Sequence, residues 1–324
     1  MTKKKATRRS RKHPKSKPAS LLSTLTKHIS GQTREYLSQE WDRALSSILS
    51  SPTVQSIKTM LSYWHAGEGA DEFGLDPTLV EFMRPFFQFL YYNYFRVDVA
   101  GMRNIPRKGP AILVANHAGA LPYDGAMVHL AVFNNLAGQR GVRFLVEDFV
   151  YELPILGTFI QRIGGARASQ ENATKLLDAG HLIAVFPEGV RGIGKEYDER
   201  YKLVRFGRGG FVKLAMRTGV PIIPVSIVGS EETHPIIWKS YRWAEPLGLP
   251  FIPFTPTFPW LGPLGLVPLP SKWNITFGKV RKFDGFEPID AEDEELVNEH
   301  ADSIKEEIQN TLNKMLAKRK NIWI

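Results

Sequence analysis

Two segments of this 324-residue chain combine residue types that can do chemistry: Val114-Ala115-Asn116-His117-Ala118-Gly119-Ala120-Leu121-Pro122-Tyr123-Asp124 and Ala184-Val185-Phe186-Pro187-Glu188-Gly189-Val190-Arg191-Gly192. Each is an apolar run that breaks at polar, Gly-rich residues, the pattern of a strand opening into a loop. His117 then stands where a general base would, with Asp124 downstream to hold its ring in one tautomer, and Arg191 where an anion would be held. A base beside an anion anchor is the layout of a group-transfer site. Each residue also has a plain structural reading. His117 alone reads equally as a neutral side chain satisfied by backbone, and Glu188 with Arg191 as an ion pair closing a turn.

The elements that must position these groups follow from periodicity. From Phe95 onward, apolar runs at Phe95–Val99, Ala111–Ala115, Phe144–Val146, Leu182–Phe186, Ile222–Ile227 and Asn274–Phe277 predict strands. Between them Asp124–Leu136, Gln170–Ala179 and Gly209–Thr218 predict helices. Alternation of this kind implies an α/β fold with a largely parallel sheet flanked by helices, in which reactive groups gather outside the carboxyl ends of the strands. His117 and Glu188 both sit there. Residues 290–319 close the chain as a helix with Val297, Ala301, Ile304, Ile308, Leu312 and Met315 on one stripe, acids at its start and bases at its end.

In this order, Asn116-His117 with a following aspartate, Phe186-Pro187-Glu188-Gly189-Val190-Arg191, and Val220-Pro221-Ile222-Ile223-Pro224-Val225 resemble the blocks of the glycerol-phosphate and lysophospholipid acyltransferase superfamily. Ser169-Gln170-Glu171-Asn172-Ala173, Arg208-Gly209-Gly210-Phe211-Val212-Lys213-Leu214-Ala215 and Leu121-Pro122 are more similar to its monoacylglycerol/diacylglycerol acyltransferase-like branch. The resemblance, which spans residues 95–285, implies an O-acyltransferase with acyl-CoA or acyl carrier protein as co-substrate and no resident cofactor. It casts His117 as the base, Asp124 as its partner, and Glu188, Gly189 and Arg191 as an acceptor site in which Arg191 pairs with a phosphate or polar headgroup. The family's remaining block is similar to residues 156–167, and its closing arginine is Arg162 or Arg167; Gly164 and Gly165 favour Arg167 by allowing close backbone approach. Lys195, Lys202, Arg205 and Arg208 would suit the phosphates of coenzyme A, or else form a solvated basic face.

One departure stands out. The family separates His and Asp by four residues, whereas six lie between His117 and Asp124, and Pro122 occupies the position the pattern assigns to Asp. The Gly119–Pro122 loop must bulge to return Asp124 to the histidine.

Composition bounds the rest. There is no cysteine, hence no disulfide framework and no thiolate nucleophile, and no Gly-x-Ser-x-Gly elbow occurs, so direct attack without an acyl-enzyme is expected. The eight histidines show no ligand spacing, and no metal is expected. The net charge of +9 originates in the first eighteen residues, where Lys3, Lys4, Lys5, Arg8, Arg9, Arg11, Lys12, Lys15 and Lys17 meet no acid; the body carries 33 bases against 33 acids. Such a tail reads as a solvated disordered arm or as an attraction to anionic lipid headgroups; sequence-independent nucleic-acid binding fits the rest of the chain less well, and no nucleic-acid partner is expected. The interrupted apolar run after it argues against a secretory signal.

Three domain segments are expected: a polybasic tail at 1–18, an amphipathic helical region at 19–75, and an α/β acyltransferase domain at 76–324. Asp76-Pro77 opens a helix rich in aromatic residues, Phe82 to Tyr94, that is either core or lipid-facing. No uncharged apolar helix of about 20 residues occurs. From Pro246 to Pro270 there is no charge, and the prolines forbid a spanning helix; this is a buried crossover or an interfacial loop at an acyl-chain entrance. The expected enzyme is therefore peripheral or monotopic, on the cytoplasmic face of a membrane, with membrane lipids as partners. Two competitors stay open: an esterase or thioesterase on the same fold, and a non-enzymatic basic binding protein.

Overall fold

The computed structural model describes residues 69–323, apart from 120, 122, 137, 138, 154, 246 and 247. The expected tail and all of the expected helical region up to residue 68 lie outside the described residues.

The strands are β1 (Asp98–Ala100), β2 (Ala111–Ala115), β3 (Val142–Val146), β4 (Gly165–Arg167), β5 (Leu182–Val185), β6 (Ile222–Val228), β7 (Trp238–Ser240), β8 (Ile252–Phe254) and β9 (Asn274–Phe277). Seven of them form one sheet in the order β1-β9-β6-β2-β5-β3-β4, and β7 pairs with β8 in a separate ribbon. All pairings in the main sheet are parallel except β6 with β9. The helices are α1 (Pro77–Phe89), α2 (Tyr123–Asn135), α3 (Asp148–Glu152), α4 (Leu156–Arg162), α5 (Gln170–Asp178), α6 (Gly189–Ile193), α7 (Gly210–Thr218) and α8 (Glu294–Lys318).

The central strand β2 is buried along its whole length, which is why it reads as a continuous apolar run and not as an alternation. Its side chains divide between two cores. Ile112 and Val114 join α5, α7 and the α8 stripe on one face, while Leu113 and Ala115 join α2 and Trp273 on the other. α8 buries Val297, Ala301, Ile304, Ile308 and Leu312, so the expected stripe is the packed one.

Three local expectations change. The first strand starts at Asp98 rather than Phe95, because α1 runs on through a π-helical turn, Leu90–Tyr94, whose carbonyl at Leu90 takes the Phe95 amide. β4 was not foreseen: three residues containing glycine carry no periodicity of their own and pair only because β3 lies alongside. The aromatic helix is both core and surface, with Leu90 and Tyr91 buried and Phe82, Phe86, Phe89 and Tyr92 exposed.

Candidate active site

The carboxyl ends of β2, β5 and β6, neighbours in the sheet, bring the site together. β2 ends in Asn116, fully buried, whose amide donates to the Ile227 carbonyl at 3.0 Å and accepts the Ile227 N–H at 2.7 Å. A side-chain amide thus continues the β2–β6 ladder one residue past the strand and aims the next residue, His117, off the sheet edge.

His117 Nδ1 lies 2.6 Å from Asp124 Oδ2. Asp124, in the first turn of α2 and 1% exposed, also accepts the amides of Ala118 at 3.1 Å and Gly125 at 2.8 Å. The carboxylate reaches the ring across the widened spacing, with Gly119 between them in the chain at φ +89°. Phe186 packs on the imidazole with ring centroids 4.6 Å apart. Burial by itself would lower the basicity of His117; the Asp124 carboxylate outweighs it, and Glu188 and Glu147 add to the effect, so the pKa is raised above the ordinary value. With Nδ1 held by Asp124, Nε2 is the nitrogen left to take a proton.

Glu188 is buried beneath this dyad, and its carboxylate is directed at protein groups. Oε1 accepts the His117 N–H at 2.9 Å and Oε2 the Val204 N–H at 3.0 Å, with Lys195 Nζ at 3.3 Å. Glu188, which the resemblance implies positions the acceptor site, here anchors the backbone of His117. Gly192 lets α6 close onto the same place: a Cβ there would lie 2.6 Å from Glu188 Cβ and 3.0 Å from the His117 carbonyl oxygen. Gly189 has φ +54°, and a Cβ on it would strike the carboxylate of Glu147 at 2.1 Å; its role is conformational.

The cations separate by environment. Arg191 is exposed on α6 and forms no ion pair with another described residue, so it is free to meet an anion at the rim. Arg167 is exposed on β4, 3.3 Å from Asp148 and stacked over Tyr151. Arg162 is buried and ion-paired with Asp76, the N-cap of α1, and it does not line the site. Charge compensation accounts for its place: a buried guanidinium needs a carboxylate, and Asp76 supplies it. Lys195, which would suit a phosphate of coenzyme A, has its side chain 3% exposed between Glu188 and Glu231.

A cavity of about 410 Å³ opens over His117 and Asp124. Its walls are almost wholly apolar, among them Phe144, Phe149, Ile160, Phe186, Phe251 and Phe258, and no lysine or arginine lines it. The uncharged 246–270 stretch supplies one side. It is neither simply buried nor simply exposed, since Phe251 and Phe254 are buried while Trp260, Leu261 and Leu264 stand in solvent. Sequence reasoning missed Glu147 at the cavity wall and Glu231 below it; both are acids just past the end of an apolar strand, the same signal that marked His117. Among the described residues no group of His, Cys, Asp or Glu is placed to hold a metal ion.

A base held by a carboxylate at the floor of an apolar cavity suits removal of a hydroxyl proton beside a fatty chain. The Acyltransferase family model matches residues 96–228. An uncharacterized protein of Mycobacterium tuberculosis is 47% identical over 254 residues, 78% of this chain and 71% of its own. The human DGAT1/2-independent enzyme synthesizing storage lipids is 31% identical over 165 residues, about half of each chain. Among solved structures, the 1-acyl-sn-glycerophosphate (LPA) acyltransferase PlsC from Thermotoga maritima has a TM-score of 0.48 at 22% identity, covering 75% of this chain and 80% of that one. This is an O-acyltransferase. More particularly, the chain belongs to the glycerol-phosphate and lysophospholipid acyltransferase superfamily.

Proposed function

We propose that the protein transfers a fatty acyl group from acyl-CoA or acyl carrier protein to a hydroxyl of a glycerolipid acceptor such as a lysophospholipid or glycerol phosphate. His117 Nε2 takes the acceptor hydroxyl proton as its oxygen attacks the thioester carbonyl carbon. The C–O bond forms, the C–S bond breaks, and the thiolate leaves with the proton that His117 returns. Asp124 keeps the ring in the tautomer with its proton on Nδ1 and stabilises the imidazolium between the two transfers.

The observation that carries this reading is the His117–Asp124 pair at the floor of an apolar cavity, with unpaired Arg191 exposed one turn beyond Glu188. Arg191 suits an acceptor phosphate. A second reading rests on a different observation: the cavity wall carries Glu147 and no cation, which suits a neutral acceptor such as a monoacylglycerol or diacylglycerol. The test is acyl transfer from both donors to lysophosphatidate, glycerol phosphate, monoacylglycerol and diacylglycerol, with products read by lipid mass spectrometry. Transfer to a glycerolipid hydroxyl is expected. Release of free fatty acid alone, whatever acceptor is added, would replace this reading with a hydrolase.

The work site is a membrane surface, on its cytoplasmic face. No helix among the described residues is long and apolar enough to cross a membrane. The β7–β8 ribbon and the segment after it expose Trp238, Tyr241, Trp243, Trp260 and Leu264, and the same segment lends Phe258 and Leu266 to the cavity wall. Tryptophan and tyrosine favour the headgroup layer, so this rim would seat the cavity on the lipid that holds its substrate.

A further inference from the structure

Below the His117–Asp124 pair lies a buried cluster of charge that the acyl-transfer step itself does not use. Lys195 Nζ sits 3.3 Å from Glu188 Oε2 and 3.0 Å from Glu231 Oε1, and the three side chains are 3%, 0% and 6% exposed. Each carboxylate also holds backbone. Glu188 takes the amides of His117 and Val204, and Glu231 takes the Tyr201 amide at 2.9 Å. Glu231 belongs to the short 3-10 turn Ser230–Glu232 that follows β6. One ammonium group thus ties the loops after β2, β5 and β6 to the 195–204 segment. Further out, Tyr201 hydrogen-bonds Glu232, and Glu232 pairs with Arg319 at 2.8 Å.

Two carboxylates and one ammonium removed from water are costly, and an apolar trio of the same shape would fold at least as well. The cluster stays together because each charge has a partner. What it supplies in return is geometry: the His117 amide is fixed by a carboxylate that cannot swing away, because Lys195 and the Val204 amide hold its other oxygen. Burial also pushes the Glu231 carboxyl up to about 7, against the pull of Lys195 and the Tyr201 amide.

We propose that Lys195 and Glu231 are positioning residues for acyl transfer: through Glu188 they set the main chain of His117 and so hold Nε2 at its attack position in the cavity. They touch neither donor nor acceptor. The proposal rests on His117 being the base, and the experiment separates the two.

The variants are Lys195→Met, Glu231→Gln and the double change Lys195→Met/Glu231→Met, each in the full chain, with His117→Ala alongside. Steady-state acyl transfer and thermal unfolding are measured on all. Lys195→Met is expected to lower kcat about 10- to 100-fold, the scale of a small misplacement of a reacting group, with the KM for acyl-CoA changed less than about twofold, and to lower the melting temperature. The double change removes the carboxylate of Glu231 along with the lysine but still leaves buried Glu188 without its cation, so it is expected to recover part of the melting temperature lost in Lys195→Met and none of the kcat. Glu231→Gln, which keeps the shape and an acceptor for Tyr201, is expected to lose less kcat than Lys195→Met. If kcat returns together with stability in the double variant, or if Lys195→Met raises KM with kcat intact, the cluster is packing or binding and the proposal is wrong. Should Lys195→Met fail to fold, the double variant and Glu231→Gln decide alone: full kcat in both overturns it. Full activity in His117→Ala would instead remove the base on which it rests.

Discussion

At the scale of single residues, the chemistry depends on a proton that must leave His117 before it can take one from the acceptor. His117→Ala is expected to reduce kcat by about 10²- to 10⁴-fold with the fold intact, because the role proposed for the ring is proton abstraction and not packing; circular dichroism and turnover measured together check this. The raised pKa gives the direction of the pH dependence. Burial lowers it, but Asp124 more than compensates, so kcat/KM should rise with pH along a limb centred above the ordinary histidine value of about 6.5. In Asp124→Asn the compensating charge is gone and burial is unopposed by it, so the limb should move to lower pH while the maximal rate falls. A limb left where it was would detach Asp124 from the ring. Buried Asn116 has no part in the proton transfer, yet Asn116→Ala leaves the Ile227 N–H and C=O without their partner, and a loss of about 1–3 kcal/mol in denaturant unfolding is expected.

At the scale of elements, the site is a meeting of loops that glycine and ion pairs hold at short range. Gly192 is the tightest point. A methyl there meets Glu188 Cβ at 2.6 Å, His117 O at 3.0 Å and His117 Cβ at 3.1 Å, none of which is the end of a flexible chain. Gly192→Ala should therefore part α6 from the β2 loop and lower kcat about tenfold or more, read against a melting temperature that falls far less than complete unfolding would require. The start of α1 is held differently. Asp76 accepts the amides of Thr78 at 2.9 Å and Leu79 at 3.2 Å and pairs with buried Arg162. Burial presses its pKa upward, but the Arg162 guanidinium and the two helix amides outweigh it, and the net shift is downward. A depressed carboxyl contributes stability above its unfolded pKa, about 3.9, and loses it as pH falls through the lower folded value. Asp76→Asn should accordingly cost about 3 kcal/mol at neutral pH, since it breaks a buried ion pair, and the gap to wild type should narrow below about pH 4.

At the scale of the whole molecule, two kinds of membrane attraction are expected to act together. The nine cations of residues 1–18 supply one that salt screens. The rim of Trp238, Tyr241, Trp243, Trp260 and Leu264 supplies one that salt leaves intact. Removing residues 1–18 should weaken co-sedimentation with anionic vesicles at low salt and leave binding at high salt, whereas changing Trp238, Trp243 and Trp260 to Ser should lower the high-salt component. Phe254 is 8% exposed beneath Trp238, Trp243 and Trp260, so Phe254→Ser should cost stability before it costs binding. Loss of all vesicle binding on truncation would assign membrane affinity to the tail alone.

The sequence by itself determined the parallel-sheet architecture, the α8 stripe and the strand ends that carry His117 and Glu188. Those signals are local: a buried strand reads as an apolar run and a packed helix as a stripe, whatever lies next to them. What only the tertiary structure decided were the pairings. Asp124 reaches His117 across six intervening residues, with Gly119 among them at φ +89°, and spacing alone cannot say that the chain returns. Arg162 and Lys195 look in sequence like any other cations; the first is committed to Asp76 and the second to Glu188 and Glu231, residues brought near by strand order and chain reversal. A buried charge takes its meaning from its partner, and the partner is set by contacts that no window of the sequence contains.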